Sequence, residues 1–554
     1  MLKKTLKEKV QESVISFGLS MEEFDQKSRN LTFEQPADER HGDIATNAAL
    51  IFARPLNIAP YDLALIIKRE LEKNFPGLER IEIAGPGFIN IFLGDSYYTD
   101  ELNRAYLDID NFGKNTTGAD SSVQIEFVSV NPVGPLHVGG GRWAAIGDCL
   151  ANLFSYCGYR VSKEFYVNDS GNQVRLFSMS VWHHYMHIFG KKVDFPEGGY
   201  RGDYINNYAM KVKDRFGSEF IELDDLLLGE FTRVCVDLAL EEIKGSLERM
   251  RVFFDVWFFE STLHESGDVD ATIKELMEMD KAYEKDGALW LRTTDYGDDK
   301  DRVLVKSDGE KTYFCVDIAY HKNKKQRGFD RVIDIWGADH HGHVRRMKAA
   351  YSSLGYDPDS LELLIGQLVN LTVDGRPFKM SKRAGDIITL DELLDEVGPD
   401  VARYIFLTKS LDTMLDFDVE AAKRHSADNP VYYVQYAHAR IASIIKHAQS
   451  TGADVSGARQ HVFGKFYSKA ERRLARVLVD FPMIVLNACE HRAPNFLTAY
   501  AEELAAIFHN FYQKNRVVTE DHEVAEHRLA LCLLTKEIIR KTLNLLGVSA
   551  PEKM

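Results

Sequence analysis

Cysteine is scarce in this chain and widely scattered. The 554 residues include six cysteines, and no two of them form a Cys-x-x-Cys pair. A disulfide framework needs denser cysteine, and a zinc site of the common kinds needs closely spaced ligands, so neither structure is supported. The pattern favours reduced thiols in a large cytosolic enzyme, and we expect no dedicated metal site.

Long apolar runs are also missing. No stretch reaches the roughly 18 apolar residues that indicate a membrane span. The N-terminal residues, MLKKTLKEKVQESV, are basic but lack the apolar segment of a secretory signal. We therefore expect a cytoplasmic protein without membrane contact. Repeats and low-complexity tracts are absent too, so no repeat architecture is expected.

Positive charge is in short supply. The sequence has 68 Lys and Arg against 84 Asp and Glu, a net charge of −16. That balance argues against broad affinity for nucleic acid. The average conceals a difference, because residues 426–554 contain 16 Lys and Arg against 13 Asp and Glu. Any contact with nucleic acid is expected from this C-terminal part or from local patches.

The length of the chain exceeds what one core can organise, so about two to four domains are expected. Residues 1–107 predict a small α+β domain with strands at 80–84 and 88–93. A polar linker is expected at 108–122. Residues 397–554 carry helical spacing throughout and predict an all-α bundle.

Residues 121–396 predict an α/β core of the Rossmann type. Strands at 124–130 and 159–167 flank a helix, which favours a parallel sheet. A largely helical insertion is expected at about 170–300. Three strand candidates follow it: 312–319, 331–336 and 361–371. Ligands bind outside the carboxyl ends of such strands, so the loops there are expected to converge.

A glycine-rich turn opens the first helix of this core, within EFVSVNPVGPLHVGGGRWAAIGDCL at 126–150. Gly139, Gly140 and Gly141 begin the helix, and His137 stands at the mouth of the turn. Free N–H groups and the helix dipole at such a site attract anions. We predict that this segment holds the phosphates of ATP.

A distant segment, KMSK at 379–382, carries two lysines after the last strand candidate. Transfer of phosphoryl or adenylyl groups develops charge on phosphate oxygens, which positioned cations stabilise. Lys379 and Lys382 could close over ATP and then release pyrophosphate. A lysine pair is more often a solvated surface loop, but its position after a strand favours a catalytic role.

An acidic pair suggests what the second substrate is. Glu126 lies in the first strand, and Asp317 ends the predicted strand 312–317, so both could face one crevice. A guanidinium presents a planar fork of donors and prefers paired carboxylates, and Tyr313 could stack on it. The alternative is an internal salt-bridge set with Arg302 or another base, which is the more frequent use of such acids.

Three histidines, at 340, 341 and 343, follow the 331–336 strand. They suggest a metal at first sight, but no histidine-plus-carboxylate spacing supports a zinc site. We prefer contact of one or more of them with the ribose or phosphates of ATP.

Motifs along the whole chain resemble those of class I aminoacyl-tRNA synthetases, and most closely those of arginyl-tRNA synthetases. HVGG at 137–140 and KMSK at 379–382 look like the two signature motifs of the class. The further hallmarks are GPGFIN at 85–90, EFVSVNPVGPLHVG at 126–139, YRGDYI at 200–205, SDG and TYFCVDIAYH within 307–321, WGADHHGH at 336–343, NPVYYVQYAHAR at 429–440 and APEKM at 550–554.

The resemblance implies an N-terminal domain that contacts the tRNA elbow, a Rossmann catalytic core and a helical anticodon-binding domain. It implies a ligase that activates L-arginine with ATP, accompanied by Mg²⁺, and transfers it to the 3′ end of tRNA(Arg), releasing AMP and pyrophosphate. Family members commonly need bound tRNA to activate arginine. We expect the protein to act as a monomer.

The resemblance also implies roles for individual residues. Catalysis is expected from His137, Lys379 and Lys382. Arginine binding is expected from Glu126, Ser129, Asn131, Tyr313 and Asp317. ATP binding is expected from His137, Gly139, Gly140, His340, His343 and Lys382. Contact with the tRNA anticodon is expected from Tyr433, Tyr436, Tyr512 and Met554, although such tyrosines more often belong to a core or an interface.

One position departs from the class pattern. Gly140 stands where a second histidine usually helps to hold ATP, so the departure concerns the phosphate contacts and not the fold. Two other readings stay open. A non-tRNA ATP-dependent ligase or nucleotidyltransferase would not need the C-terminal bundle, and a catalytically silent tRNA-binding paralogue is favoured only by Gly140.

Overall fold

The computed structural model describes residues 2–34, 36, 38–75, 77–373, 376–377, 388–424, 426 and 428–554. The KMSK motif, with the predicted catalytic residues Lys379 and Lys382, lies outside these described residues.

The N-terminal part is an α+β unit. Its elements are α1 (Leu2–Ser16), α2 (Met21–Ser28), β1 (Phe33–Glu34), β2 (Ile44–Thr46), α3 (Ala48–Phe52), α4 (Pro60–Asn74), β3 (Leu78–Ala84), β4 (Phe88–Leu93) and α5 (Asp95–Leu107). The strands pair in the order β1-β2-β4-β3. Leu63, Ile67 and Leu71 share one face of α4 and are buried, so helical spacing fixes how α4 packs.

The catalytic part is built on a parallel sheet. Its elements are β5 (Ser122–Glu126), α6 (Val138–Tyr156), β6 (Arg160–Val167), α7 (Gly171–Ile188), α8 (Asp203–Phe216), α9 (Asp225–Arg249), β7 (Val256–Phe259), α10 (Glu260–Glu265), α11 (Asp268–Glu278), β8 (Ala282–Lys285), β9 (Ala288–Leu291), β10 (Arg302–Val305), α12 (Tyr313–Gln326), β11 (Arg331–Gly337), α13 (His343–Ser353) and β12 (Leu361–Gly366).

Five of these strands form one sheet in the order β12-β11-β5-β6-β7, and every pair is parallel. The chain moves from β5 towards β7 on one side and returns through β11 and β12 on the other. This reversal opens a crevice at the carboxyl end of β5, which is where open α/β sheets bind ligands.

One strand prediction for this core is wrong, and another covers two strands instead of one. Residues 312–319 belong to helix α12, which begins because the Thr312 side chain accepts a hydrogen bond from the Cys315 N–H. The run 361–371 spans β12 and a strand of another sheet. Within the predicted helical insertion, α7, α8 and α9 share a separate core, but β7 joins the main sheet and β8, β9 and β10 form a small antiparallel sheet.

The C-terminal part is mainly helical, as predicted, but it also contains an unpredicted short strand at Leu415–Asp418. A small sheet links the C-terminal part to the catalytic part and consists of β13 (Val369–Val373), β14 (Arg376–Pro377) and β15 (Leu415–Asp418). The helices are α14 (Leu390–Phe406), α15 (Val419–Lys423), α16 (Pro430–Ser450), α17 (Val455–Ala458), α18 (Lys469–Glu490), α19 (Asn495–Lys514) and α20 (His522–Leu545). Helix α14 breaks at Gly398, whose φ of 77° is left-handed. All six cysteines are buried and free, and none of the described helices is long and apolar enough to cross a membrane.

Candidate active site

A cavity of about 770 Å³ lies at the carboxyl ends of the central strands. It is walled by loops that follow β5, β6 and β11 and by the exposed face of α12. Eight residues that the sequence singled out line it together: Glu126, Ser129, Asn131, His137, Tyr313, Asp317, His340 and His343. Of the loops predicted to converge, those after β5 and β11 meet at this edge of the sheet, whereas residues 320–326 continue helix α12 and the KMSK loop lies outside the described residues.

His137 is the N-cap of α6. Its Nδ1 accepts a hydrogen bond from the Gly140 N–H at 3.2 Å. Because Nδ1 accepts, the proton of the neutral ring lies on Nε2. Burial lowers the pKa of His137, which favours this neutral form near pH 7. The ring therefore offers one N–H donor at the mouth of the helix.

Gly139 and Gly140 lie in the first turn of α6, behind the cavity wall. The Gly140 N–H already donates to His137. A Cβ at Gly140 would lie 2.4 Å from Cδ1 of the buried Leu136, so this backbone leaves no room for a histidine. The departure from the class pattern thus coincides with close packing of Leu136 against the helix.

The segment that follows the KMSK motif returns to the same turn. Thr389 lines the cavity and forms a β-bridge with His137, and the Leu390 N–H donates to the Leu136 carbonyl at 2.7 Å. Residues 389–390, more than 200 residues beyond the HVGG motif in sequence, are therefore joined to the turn that carries it.

Tyr313 and Asp317 stand one turn apart on α12 and share the face that lines the cavity. Burial raises the pKa of the Asp317 carboxyl to about 6. In the described part of the chain no basic side chain forms an ion pair with it. Asp317 thus presents an uncompensated carboxylate to the cavity at neutral pH.

Glu126 is held differently. Its Oε2 pairs with the Nζ of the fully buried Lys324, which also binds Asp334 at 2.7 Å. Glu126 therefore takes part in an internal ion pair, as the alternative interpretation expected. Its partner is Lys324 and not Arg302, which pairs with Asp298. The sequence does not predict this role for Lys324, because a strand at 312–319 would leave Lys324 in the polar loop that follows it. On a helix, the spacing Tyr313, Asp317, Tyr320, Lys324 places all four near one face.

The turn after β5 shapes one end of the cavity. Ser129 has a positive φ of 39°, and its Oγ accepts the Tyr166 N–H at 3.1 Å. The Asn131 amide donates to Gln173 at 2.5 Å. Glu260, also missed from the sequence, lines the cavity and accepts the Tyr166 hydroxyl at 2.8 Å. Glu260 follows β7, the strand that was not predicted.

His340 and His343 follow β11 and lie with ring centroids 5.3 Å apart in the cavity wall. Burial lowers the pKa of His343, which keeps it neutral near pH 7. No group of three or more His, Cys, Asp or Glu side chains within the described ranges is arranged to hold a metal ion. The two rings are placed instead to donate or accept hydrogen bonds at the β11 side of the cavity.

The predicted anticodon residues lie on the helical bundle, away from the cavity. Arg440 lies 4.7 Å from the Tyr512 ring centroid, and its guanidinium donates to the Tyr436 hydroxyl at 2.7 Å. Tyr433 packs near these residues, 5.1 Å from the His509 ring. These residues form an aromatic patch. The C-terminal Met554 is 53% exposed, and no contact in the structure ties it to the patch.

The five-stranded parallel sheet, the histidine-capped helix at its switch point and the appended helical bundle match the architecture expected from the resemblance to class I aminoacyl-tRNA synthetases. Comparison with known proteins places the chain in that class. Three family profiles match the chain. They are "Arginyl tRNA synthetase N terminal domain" over residues 1–93, "tRNA synthetases class I (R), catalytic domain" over 101–445, and "DALR anticodon binding domain" over 434–554.

Similar proteins agree with these profiles over almost the whole chain. The arginine–tRNA ligase of Moorella thermoacetica is 44% identical over 95% of this chain and 94% of its own, and that of Carboxydothermus hydrogenoformans is 46% identical over 94% of both. The solved Thermus thermophilus arginyl-tRNA synthetase covers all of both chains with a TM-score of 0.77, and at 21% identity it supports the fold. The chain belongs to the arginyl-tRNA synthetase family and is therefore a ligase, an arginine–tRNA ligase.

Proposed function

We propose that the cavity carries out both steps of arginine attachment to tRNA(Arg). The carboxylate of L-arginine attacks the α-phosphate of ATP in line, and arginyl-adenylate and pyrophosphate form. The terminal ribose 2′-hydroxyl of the tRNA then attacks the activated carbonyl, and AMP leaves. Neither step needs a covalent enzyme intermediate, so the protein contributes positioning and charge stabilisation.

Arginine is recognised at the α12 side of the cavity. Asp317 binds the guanidinium, because its carboxylate is buried, faces the cavity and has no basic partner among the described residues. Tyr313, one turn earlier, stacks on the guanidinium plane. Asn131 and Ser129 hold the α-amino or carboxylate end, while Glu126, fixed by Lys324, adds negative charge to the same wall.

ATP binds on the β11 side. The Nε2–H of His137 and the N-terminus of α6 attract its phosphates, with Gly139 and Gly140 in the helical turn behind His137, and His340 and His343 contact ribose or phosphate. Lys379 and Lys382 stabilise the charge that develops during transfer. Mg²⁺ accompanies the triphosphate, which supplies most of its ligands. Chelation of Mg²⁺ should stop charging, and added Mg²⁺ should restore it.

The aromatic patch of α16 and α19 is the part of the bundle that reads the anticodon loop. Tyr433, Tyr436 and Tyr512 offer faces for unpaired bases, and Arg440 adds positive charge among them. Met554, exposed at the end of the bundle, is proposed as a separate apolar contact for the same loop. Substitution of Tyr436 by Ala should raise the KM for tRNA and leave arginine binding unchanged.

One observation carries the proposal: an uncompensated carboxylate at Asp317 shares a cavity with the histidine-capped helix that suits phosphates. The test is an aminoacylation assay with arginine, ATP and total tRNA. Arginine-dependent charging is expected. If no charging occurs at any enzyme concentration, the protein would instead be a catalytically silent tRNA-binding paralogue. If it transfers the adenylyl group to a small acceptor without tRNA, it would instead be a non-tRNA ligase or nucleotidyltransferase.

We also propose that the protein works as a cytoplasmic monomer. Light scattering after gel filtration should give a mass near 63.0 kDa at assay concentrations. A mass near twice that value would contradict the monomer.

A further inference from the structure

The motif YRGDYI at 200–205 has no role in the reaction as described so far, although it lines the cavity. It leads into α8 and places two tyrosines, Tyr200 and Tyr204, in the cavity wall. The Tyr200 N–H donates to the Ser180 Oγ at 2.9 Å, which fixes the start of the motif against α7.

Two glycines fix the ring of Tyr204. A Cβ on Gly134 would lie 2.9 Å from Cε2 of Tyr204, and a Cβ on Gly202 would lie 2.6 Å from Cε1. The Tyr204 ring therefore fits only because both flanking positions, 134 and 202, are glycines without a Cβ. Gly134 belongs to the GPLHVG turn, so the position of Tyr204 is coupled directly to the turn that carries His137.

The two phenols are free to act on a ligand. Neither hydroxyl has a hydrogen-bond partner among the residues that the structure describes, whereas the nearby Tyr166 hydroxyl is engaged by Glu260. Burial raises the pKa of Tyr200 and raises that of Tyr204 to about 12. Both are therefore neutral at physiological pH and offer an aromatic ring with an unused O–H donor.

Sheet order separates this wall from the two histidines assigned to the ribose or phosphates of ATP. Tyr200 and Tyr204 follow β6, whereas His340 and His343 follow β11, and β5 lies between those two strands. Arginine is assigned to α12 and the turn after β5. The wall after β6 is then left for the third ligand of the reaction, the 3′ end of the tRNA.

A basic residue stands at the same place. The guanidinium of the exposed Arg201 lies 4.8 Å from the Phe195 ring centroid and pairs with no carboxylate in the described part of the chain. An aromatic surface beside an unpaired cation is how proteins hold single-stranded nucleic acid, with bases on rings and phosphates near the charge.

We propose that Tyr200 and Tyr204 bind the 3′-terminal nucleoside of tRNA(Arg), with Tyr204 stacking on its base and Arg201 facing the phosphate that precedes it. This inference rests on the proposed function and adds residues that position the acceptor. Neither tyrosine takes part in bond making. Their role is to bring the attacking ribose hydroxyl to the activated carbonyl.

The test compares full-length tRNA(Arg) with the same tRNA lacking its 3′-terminal nucleoside. Wild-type enzyme should bind the full-length tRNA about five- to a hundredfold more tightly, the range expected for one stacked base. Tyr204→Ala should bring this ratio close to one, and Tyr204→Phe should keep it. Gly134→Ala, which displaces the ring without removing it, should reduce the ratio as well.

Two outcomes would overturn the inference. One is an unchanged ratio in Tyr204→Ala and Tyr200→Ala. The other is a raised KM for ATP with the ratio unchanged, which would assign this wall to ATP. Affinity for the shortened tRNA serves as the check on folding, because it should be the same in all variants. Charging of full-length tRNA by wild-type enzyme tests the proposed function separately, so the two failures are distinguishable.

Discussion

Asp317 is the residue on which arginine recognition depends most. Replacement by Asn removes the charge and keeps the shape, so arginine affinity should fall by about 1.5–3 kcal/mol, the scale of a charged hydrogen bond. Titration calorimetry with arginine measures the change. Asp339→Asn, in the same cavity wall but beside His340, is the matched control and should leave arginine affinity intact. Equal affinity in wild type and Asp317→Asn would place the pocket elsewhere.

The same residue predicts a pH dependence. Its pKa is raised to about 6, so the carboxyl becomes protonated as the pH falls through 6 and arginine binding should weaken in wild type but not in Asp317→Asn. The sign for stability is opposite. A carboxyl with a raised folded-state pKa destabilises the fold as the pH rises from its ordinary 3.8 through 6. Without arginine, Asp317→Asn should therefore unfold at a higher temperature than wild type at pH 7.

Lys324 balances two buried acids below the cavity. Lys324→Met leaves Glu126 and Asp334 buried without their cation, and breaking such a pair costs about 3–5 kcal/mol. Urea unfolding should show that loss. A second substitution, Glu126→Gln, should recover part of it in the Lys324→Met background. A loss below about 1 kcal/mol would show that Lys324 is not the neutralising charge.

At the scale of elements, the first turn of α6 is the clearest constraint. Gly140→His restores the class pattern but drives a Cβ to within 2.4 Å of Leu136, so overpacking should cost about 1–3 kcal/mol. The KM for ATP should rise rather than fall. Gly140→His with Leu136→Ala relieves the clash and should regain stability. Tighter ATP binding by the single variant would show that the turn accepts a histidine unaided.

The segment between β14 and α14 carries the lysines. Lys382→Ala should lower the rate of charging by tenfold or more while arginine affinity stays the same, because a cation that faces the transferring phosphate acts in the transition state. Rapid-quench measurement of a single turnover separates the two effects. Lys409→Ala, on the loop before β15, is the control. An unchanged rate would remove Lys382 from the mechanism.

The sequence predicted the glycine-rich turn, the β3–β4 hairpin of the N-terminal unit and most of the helical bundle, because local spacing and turn residues determine them. It failed at 312–319, where β-branched and aromatic residues suggested a strand. The Thr312 cap and the buried positions Phe314, Cys315 and Ile318 on one face produce a helix instead. The Lys324–Glu126 pair joins residues 198 apart. No local pattern reports such a contact, so Lys324 and Glu260 were found only from the structure.

The whole molecule depends on a few buried connections between its parts. Arg403 on α14 is fully buried and donates to Asp148 on α6 at 2.6 Å, to the Met250 carbonyl at 2.6 Å and to the Leu546 carbonyl at 3.0 Å. A Cβ at Gly547, which has a left-handed φ of 69°, would lie 2.0 Å from this guanidinium. One side chain thus joins the catalytic helix, the insertion and the end of the bundle.

Arg403→Met should therefore destabilise the protein by about 3–5 kcal/mol, since Asp148 would keep only Lys163 as a partner and two carbonyls would lose a donor. Arg403→Lys keeps the charge but lacks the planar fork that reaches three groups, so it should recover only part of the loss. At temperatures where both variants are folded, the KM for tRNA should rise more than the KM for arginine. The reason is that the helical bundle is held less firmly against α6, whereas Tyr313 and Asp317 on α12 are unaffected. Chemical unfolding and steady-state charging measure the two effects. Wild-type stability in Arg403→Met, or an equal rise in both KM values, would show that the parts are held together by other contacts.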